Sequence, residues 1–103
     1  MISENEKQNL KRELVGCLKT EKEVRRIVIF GSFLNSTNPH DLDVAVFQDS
    51  NEQYLPLAMK YRKRTRGIAR NIPLDIIPIR SDATTGFLID EIRRGEVIYE
   101  RRN

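Results

Sequence analysis

Ile27-Val28-Ile29-Phe30, stopped by Gly31, is a run with no polar position. A strand that is apolar at every step is buried on both faces, so it belongs inside a layered structure rather than at a solvent-washed surface. The chain has 103 residues, 39% of them hydrophobic and 32% charged. That supplies one modest core and is too apolar for a disordered tail. A chain of this length covers one sheet with a few helices, so a single domain over residues 1–103 is expected.

The remaining segments supply those helices and strands. Ser3 can cap a helix over residues 3–19, with Glu4 and Glu6 suited to its positive end and Leu10, Leu14, Cys17 and Leu18 on one face. Residues 31–40 are rich in turn formers and read as a loop with room for one helical turn. Asp41 to Phe47 reads as a second strand. A long helix is expected from Glu52 to Arg70, with Pro56 in its first turn and Leu57, Tyr61, Ile68 and Ile72 inward. Pro73 to Ile79 reads as a third strand. A helix over 84–94 should turn Phe87, Leu88 and Ile92 inward and stop at Gly95. Glu96 to Glu100 forms a last strand. The order α-β-β-α-β-α-β gives an α/β (α+β) domain, one small mixed sheet with helices packed on it.

No apolar run approaches the ~20 residues of a membrane-spanning helix. Residues 1–24 carry five acidic and five basic side chains and no apolar block, unlike a secretory or transit peptide. Cys17 is the single cysteine, which excludes an intrachain disulfide and a cysteine-rich zinc site and points to a reducing, cytoplasmic setting. Its helical spacing with leucines marks it as a packing residue.

Charge appears where an apolar strand should not tolerate it. Asp41 and Asp43 are two apart on a strand, so they share a face, with Cα atoms ~6.5–7 Å apart, while Leu42, Val44 and Val46 take the other face. Two carboxylates so close repel unless a cation lies between them, and hard oxygen donors suit Mg²⁺. Pro73-Leu74-Asp75-Ile76-Ile77-Pro78-Ile79 is apolar except for Asp75. A lone carboxylate there is costly without a partner. If the two strands adjoin, Asp41, Asp43 and Asp75 converge as a metal-binding group suited to phosphoryl transfer. The purely structural alternatives are a turn cap at Asp41, a solvent-facing Asp43 and an arginine partner for Asp75. Gly31 lets the backbone approach a ligand, and the Ser32 hydroxyl can then reach a phosphate. His40, beside Pro39, reads as a turn residue.

A strand ending Phe30-Gly31-Ser32, a short loop, Asp41-x-Asp43 entering a strand, then a helix and a strand bearing Asp75, resembles the nucleotidyltransferase superfamily of the DNA polymerase β type. The minimal nucleotidyltransferases are the nearest in kind. The resemblance covers roughly residues 24–101, including the closing Ile92-Arg93-Arg94-Gly95-Glu96-Val97-Ile98-Tyr99-Glu100. It implies that Gly31 and Ser32 hold the triphosphate and that Asp41, Asp43 and Asp75 bind two Mg²⁺ ions. Asp75 would also help to activate the attacking hydroxyl. It implies transfer of a nucleoside monophosphate, with ATP as donor. It also implies a partner, a small helical HEPN-type protein, in a toxin–antitoxin pair whose antitoxin is the nucleotidyltransferase. Residues 33–40 contain no arginine to meet a triphosphate.

Two other classes of function fit the residues. One keeps the fold and neutralises a partner by occlusion alone. The other is a small nucleic-acid-binding domain that uses Lys60, Arg62, Lys63, Arg64, Arg66 and Arg70. The net charge of +3 is mild, and Tyr61, the aromatic inside that stretch, points inward, so a base-stacking platform is not expected. A solvated outer face is the plain reading of these charges.

Overall fold

The computed structural model describes residues 2–86 and 88–102. Helix α1 spans Glu4–Leu18 and opens with a capping box: the Glu6 amide donates to Ser3 Oγ and the Ser3 amide to Glu6 Oε1. Strand β1 is Val24–Phe30, followed by a 3₁₀ turn at Ser32–Leu34 and strand β2 at Leu42–Gln48. Helices α2 (Tyr54–Arg64) and α3 (Arg66–Ala69) lead into β3 (Leu74–Arg80), α4 (Ile89–Arg93) and β4 (Glu96–Glu100).

The four strands form one sheet in the order β3-β2-β1-β4. β1 pairs antiparallel with both β2 and β4, and β2 pairs parallel with β3, as their helical crossover requires. Alternation divides the apolar residues between the two faces. Ile27, Ile29, Leu42, Val44, Val46 and Ile76 join Leu14, Leu18, Leu57, Tyr61 and Ile68 of the helices in the larger core. Val28, Phe30, Ala45 and Phe47 meet Ile89 and Ile92 of α4 in a smaller one. Three helices therefore pack on one face and the short helix α4 on the other, a three-layer arrangement.

β2 and β3 each run one residue later than expected, and three elements differ from the sequence expectation by more than that. β1 begins at Val24 rather than Ile27, because its two arginines are accommodated: Arg25 lies 3.7 Å from Asp49, and the Arg26 guanidinium stacks 4.2 Å from the Phe47 ring centroid. The expected helix over 52–70 is two helices. At Thr65 (φ −106°, ψ 15°) the backbone leaves the helix, and its hydroxyl donates to the Tyr61 carbonyl at 2.8 Å, while Gly67 weakens the helical turn beyond it. The expected helix over 84–94 is reduced to Ile89–Arg93, since Gly86 takes φ 144°, a conformation no helix continues through. Within that segment Ile92 is buried and Leu88 half-buried, and Phe87 lies outside the described residues. Gly95 stops α4 as expected.

The buried Tyr61 hydroxyl donates to Glu23 at 2.8 Å, and Lys60 meets the same carboxylate at 2.9 Å. Burial alone would push the Glu23 carboxyl up, but these two donors outweigh it and hold it below its ordinary value. Cys17 is half-buried, and burial together with Glu13 pushes its thiol up, away from a reactive thiolate. Among the described residues no helix is long and apolar enough to cross a membrane.

Candidate active site

The parallel pairing of β2 with β3 sets Asp43 directly beside Asp75. Residues paired across neighbouring strands point to the same face, here the one on which α4 packs. Asp41 enters from the residue before β2. One carboxylate oxygen from each of Asp41, Asp43 and Asp75 lies within 4.8 Å of the others. Asp41 and Asp43 are half-buried and Asp75 is exposed, so the group opens to solvent.

The same face of the sheet brings in the β1 turn. Phe30 pairs with Asp43 across the antiparallel ladder, which places Gly31 against that carboxylate. Gly31 has φ 83°, and a Cβ there would stand 2.7 Å from Asp43 Oδ2. A side chain at Gly31 would therefore be strained and would push Asp43 aside. Ser32 follows as the first residue of the 3₁₀ turn. It is exposed, and its hydroxyl makes no hydrogen bond among the described residues. Gly31, Ser32 and the three aspartates thus gather at one end of the sheet. His40 is exposed and lines a separate cleft with Leu10, Pro39 and Ile72.

Two neighbours go beyond the residues expected from the sequence. Glu91, exposed on α4, adds its charge to the field on Asp43. Lys7, buried on the inner face of α1, donates from Nζ to the Ser36 carbonyl at 2.7 Å and sits 5.3 Å over the Phe33 ring. It fastens α1 to the loop that carries Ser32. Its position seven residues before Leu14 on the helix is a signal that could have found it.

The Asp43 carboxyl is pushed up to about 6 from an ordinary 3.8. Burial is the largest cause, followed by the charges of Asp41 and Asp75, a hydrogen bond with Asp75, and Glu91. Repulsion contributes as expected from the sequence, but desolvation leads. Three hard carboxylate oxygens within 4.8 Å of one another, one of them on a group whose affinity for a proton is raised, fit a hard divalent cation.

This predicts a pH signature and a metal response. Without metal, the stability tied to protonated Asp43 is complete below 3.8 and is lost as pH rises through about 6. The wild type should lose thermal stability over that interval relative to Asp43→Asn. Mg²⁺ should raise the wild-type Tm, more strongly above that pH, where Asp43 is ionised, and leave Asp43→Asn unmoved. An equal Mg²⁺ response in the two proteins would show that the ion binds elsewhere.

No curated protein and no solved structure gives a significant match to the chain. The family model described as "Polymerase beta, Nucleotidyltransferase" matches residues 12–103, from the middle of α1 through β4. With the mixed sheet and the acidic group on its lightly covered face, this match shows that the chain belongs to the polymerase β-type nucleotidyltransferase family.

Proposed function

We propose that this chain transfers a nucleoside monophosphate from a nucleoside triphosphate, ATP in the first instance, to a hydroxyl of a protein partner. The observation that carries this reading is the convergence of Asp41, Asp43 and Asp75 on one sheet face beside Gly31. Gly31 and Ser32 hold the triphosphate, the glycine by close backbone approach and the serine by its free hydroxyl. The acceptor oxygen bonds to the α-phosphorus, the bond from that phosphorus to the bridging oxygen breaks, and pyrophosphate leaves. The hydroxyl proton passes to Asp75, the most exposed of the three carboxylates. Two Mg²⁺ ions held by Asp41, Asp43 and Asp75 would offset the charge that develops on the phosphates.

An apolar hollow of about 260 Å³ supports an aromatic acceptor. It is lined by Ile77, Ile79, Leu88, Ile89 and Ile92. Ile77 and Ile79 follow Asp75 at alternate positions of β3, so the hollow continues the acidic face. A tyrosine ring seated there would bring its hydroxyl toward Asp75. The partner in this reading is a small helical HEPN-type protein, and the chain acts as its antitoxin.

The test is intact-mass analysis of the protein that co-purifies with the chain, after incubation with ATP and Mg²⁺. The expected result is a mass increase of one nucleoside monophosphate, mapped to a tyrosine. An unmodified partner would overturn the transfer reading. Equal neutralisation by wild type and by the variant with all three aspartates changed to asparagine would then establish occlusion as the activity.

A further inference from the structure

Helix α2 divides the basic stretch into two sets of charges with different surroundings. Lys60 and Arg64, one turn apart, are satisfied within the molecule: Lys60 Nζ lies 3.3 Å from Glu21, 2.9 Å from Glu23 and 3.5 Å from Glu52, and Arg64 Nε lies 3.1 Å from Glu21. Arg62 and Lys63 are exposed and have no ion pair among the described residues. They share the other flank of the helix with two apolar side chains. Leu55 and Met59 stand four residues apart, and Arg62 and Lys63 follow Met59 by three and four, so all four are neighbours on the helix surface. Leu55 is 63% and Met59 58% exposed, although Leu57, Ala58 and Tyr61 of the same helix are fully packed.

We infer that this flank of α2 is a docking surface for an amphipathic helix of a partner protein, one whose apolar stripe is bordered by acidic residues. Leu55 and Met59 supply the apolar contact, and methionine adapts its shape to a facing helix. Arg62 and Lys63 supply unpaired charge for the acidic border. At 11 residues α2 is about 16 Å long, enough to lie along roughly three turns of a partner. A second copy of the chain fits poorly, because each copy would bring the same unpaired cations to a single interface. A polynucleotide would use the cations and leave Leu55 and Met59 without a role. A lipid surface would find little to insert on α2, where Tyr54, Leu55 and Met59 are the large exposed apolar side chains and Leu57, Ala58 and Tyr61 are committed to the core.

The surface lies on the face of the sheet opposite the carboxylates, because α2 packs on Leu42, Val44 and Ile76 while Asp43 and Asp75 point the other way. Docking and transfer are therefore separable.

The probe is a synthetic helical peptide with leucines at positions i, i+4, i+7 and i+11 and glutamates on both borders, followed by fluorescence anisotropy. Leu55→Ser with Met59→Ser should weaken its binding about tenfold or more. Arg62→Glu with Lys63→Glu should weaken it by about tenfold, with an added dependence on salt. All four positions are exposed, and unchanged circular dichroism and Tm would confirm that the variants fold. Asp43→Asn should bind the peptide as the wild type does, so failed transfer and failed docking are distinct results. Failure to bind the peptide, or equal binding of a version with serines for leucines, would overturn the inference. Tighter binding to single-stranded RNA or to phosphatidylserine vesicles would also overturn it, as would a dimer dispersed by the Leu55 and Met59 changes.

Discussion

Asp75→Asn is expected to reduce nucleotidyl transfer by at least about a hundredfold while leaving triphosphate binding within about twofold. Gly31 and Ser32 are untouched by the change, so the groups proposed to hold the phosphates remain. The loss falls on the step in which the acceptor hydroxyl surrenders its proton and charge builds on the α-phosphate. Kinetically this is a fall in kcat with little change in KM. A second readout needs no turnover. The Asp75 charge and its hydrogen bond both push the Asp43 carboxyl upward, so removing that charge should lower the Asp43 pKa from about 6 toward its ordinary 3.8. An NMR titration of the Asp43 side chain measures it. An Asp43 pKa unmoved by Asp75→Asn would mean that the two carboxylates do not share a site.

Gly95→Ala should be the most damaging of the single-methyl additions to the fold. Gly95 ends α4 against β1, and its amide donates to the Ile92 carbonyl at 2.9 Å. A Cβ there would collide with the Ile29 backbone carbonyl, with Val28 Cγ1 at 2.9 Å and with the Ile92 carbonyl at 3.1 Å. Two of those obstacles are backbone, and one belongs to a strand hydrogen-bonded on both sides, so neither can yield cheaply. A loss of about 3 kcal/mol is expected. For a domain of this size that lowers Tm by roughly 15 °C. Gly16→Ala is the control. Nothing lies within 4 Å of a Cβ at that position of α1, so alanine should raise stability by about 0.5–1 kcal/mol through helix propensity. A Gly95→Ala protein as stable as wild type would show that α4 is not seated on β1.

The parts of the fold that were readable from the residues are those whose signal is local. Apolar alternation along Leu42, Val44 and Val46 set the buried face of β2, and the single charge in the run 73–79 marked Asp75 as exceptional. Both features survive in the register, where Asp43 and Asp75 are direct neighbours. The capping of α1 by Ser3 was equally local. What escaped depends on partners distant in the chain. Lys7 is a charged residue and reads as solvent-facing until the Ser36 carbonyl is brought to it. Glu91 reaches the site's field only because α4 docks across β1. The break at Thr65 turns on whether its hydroxyl bonds to the Tyr61 carbonyl, a choice that propensity alone does not decide in a stretch otherwise favourable to helix.

The place of β4 in the sheet has a consequence for synthesis. β1 lies between β2 and β4, yet β4 is the last of the four strands to leave the ribosome. A nascent chain can pair β1 with β2 and β2 with β3 while the outer edge of β1 still waits for Glu96–Glu100. During that interval Val28 and Ile29 present unpaired backbone on an apolar strand, the kind of edge that recruits strands from other chains. In the finished protein Lys11 of α1 lies 3.0 Å from Glu96, an ion pair that ties the last strand to the first helix. Slow translation through codons 81–95 would lengthen the exposure, and soluble yield should fall with it.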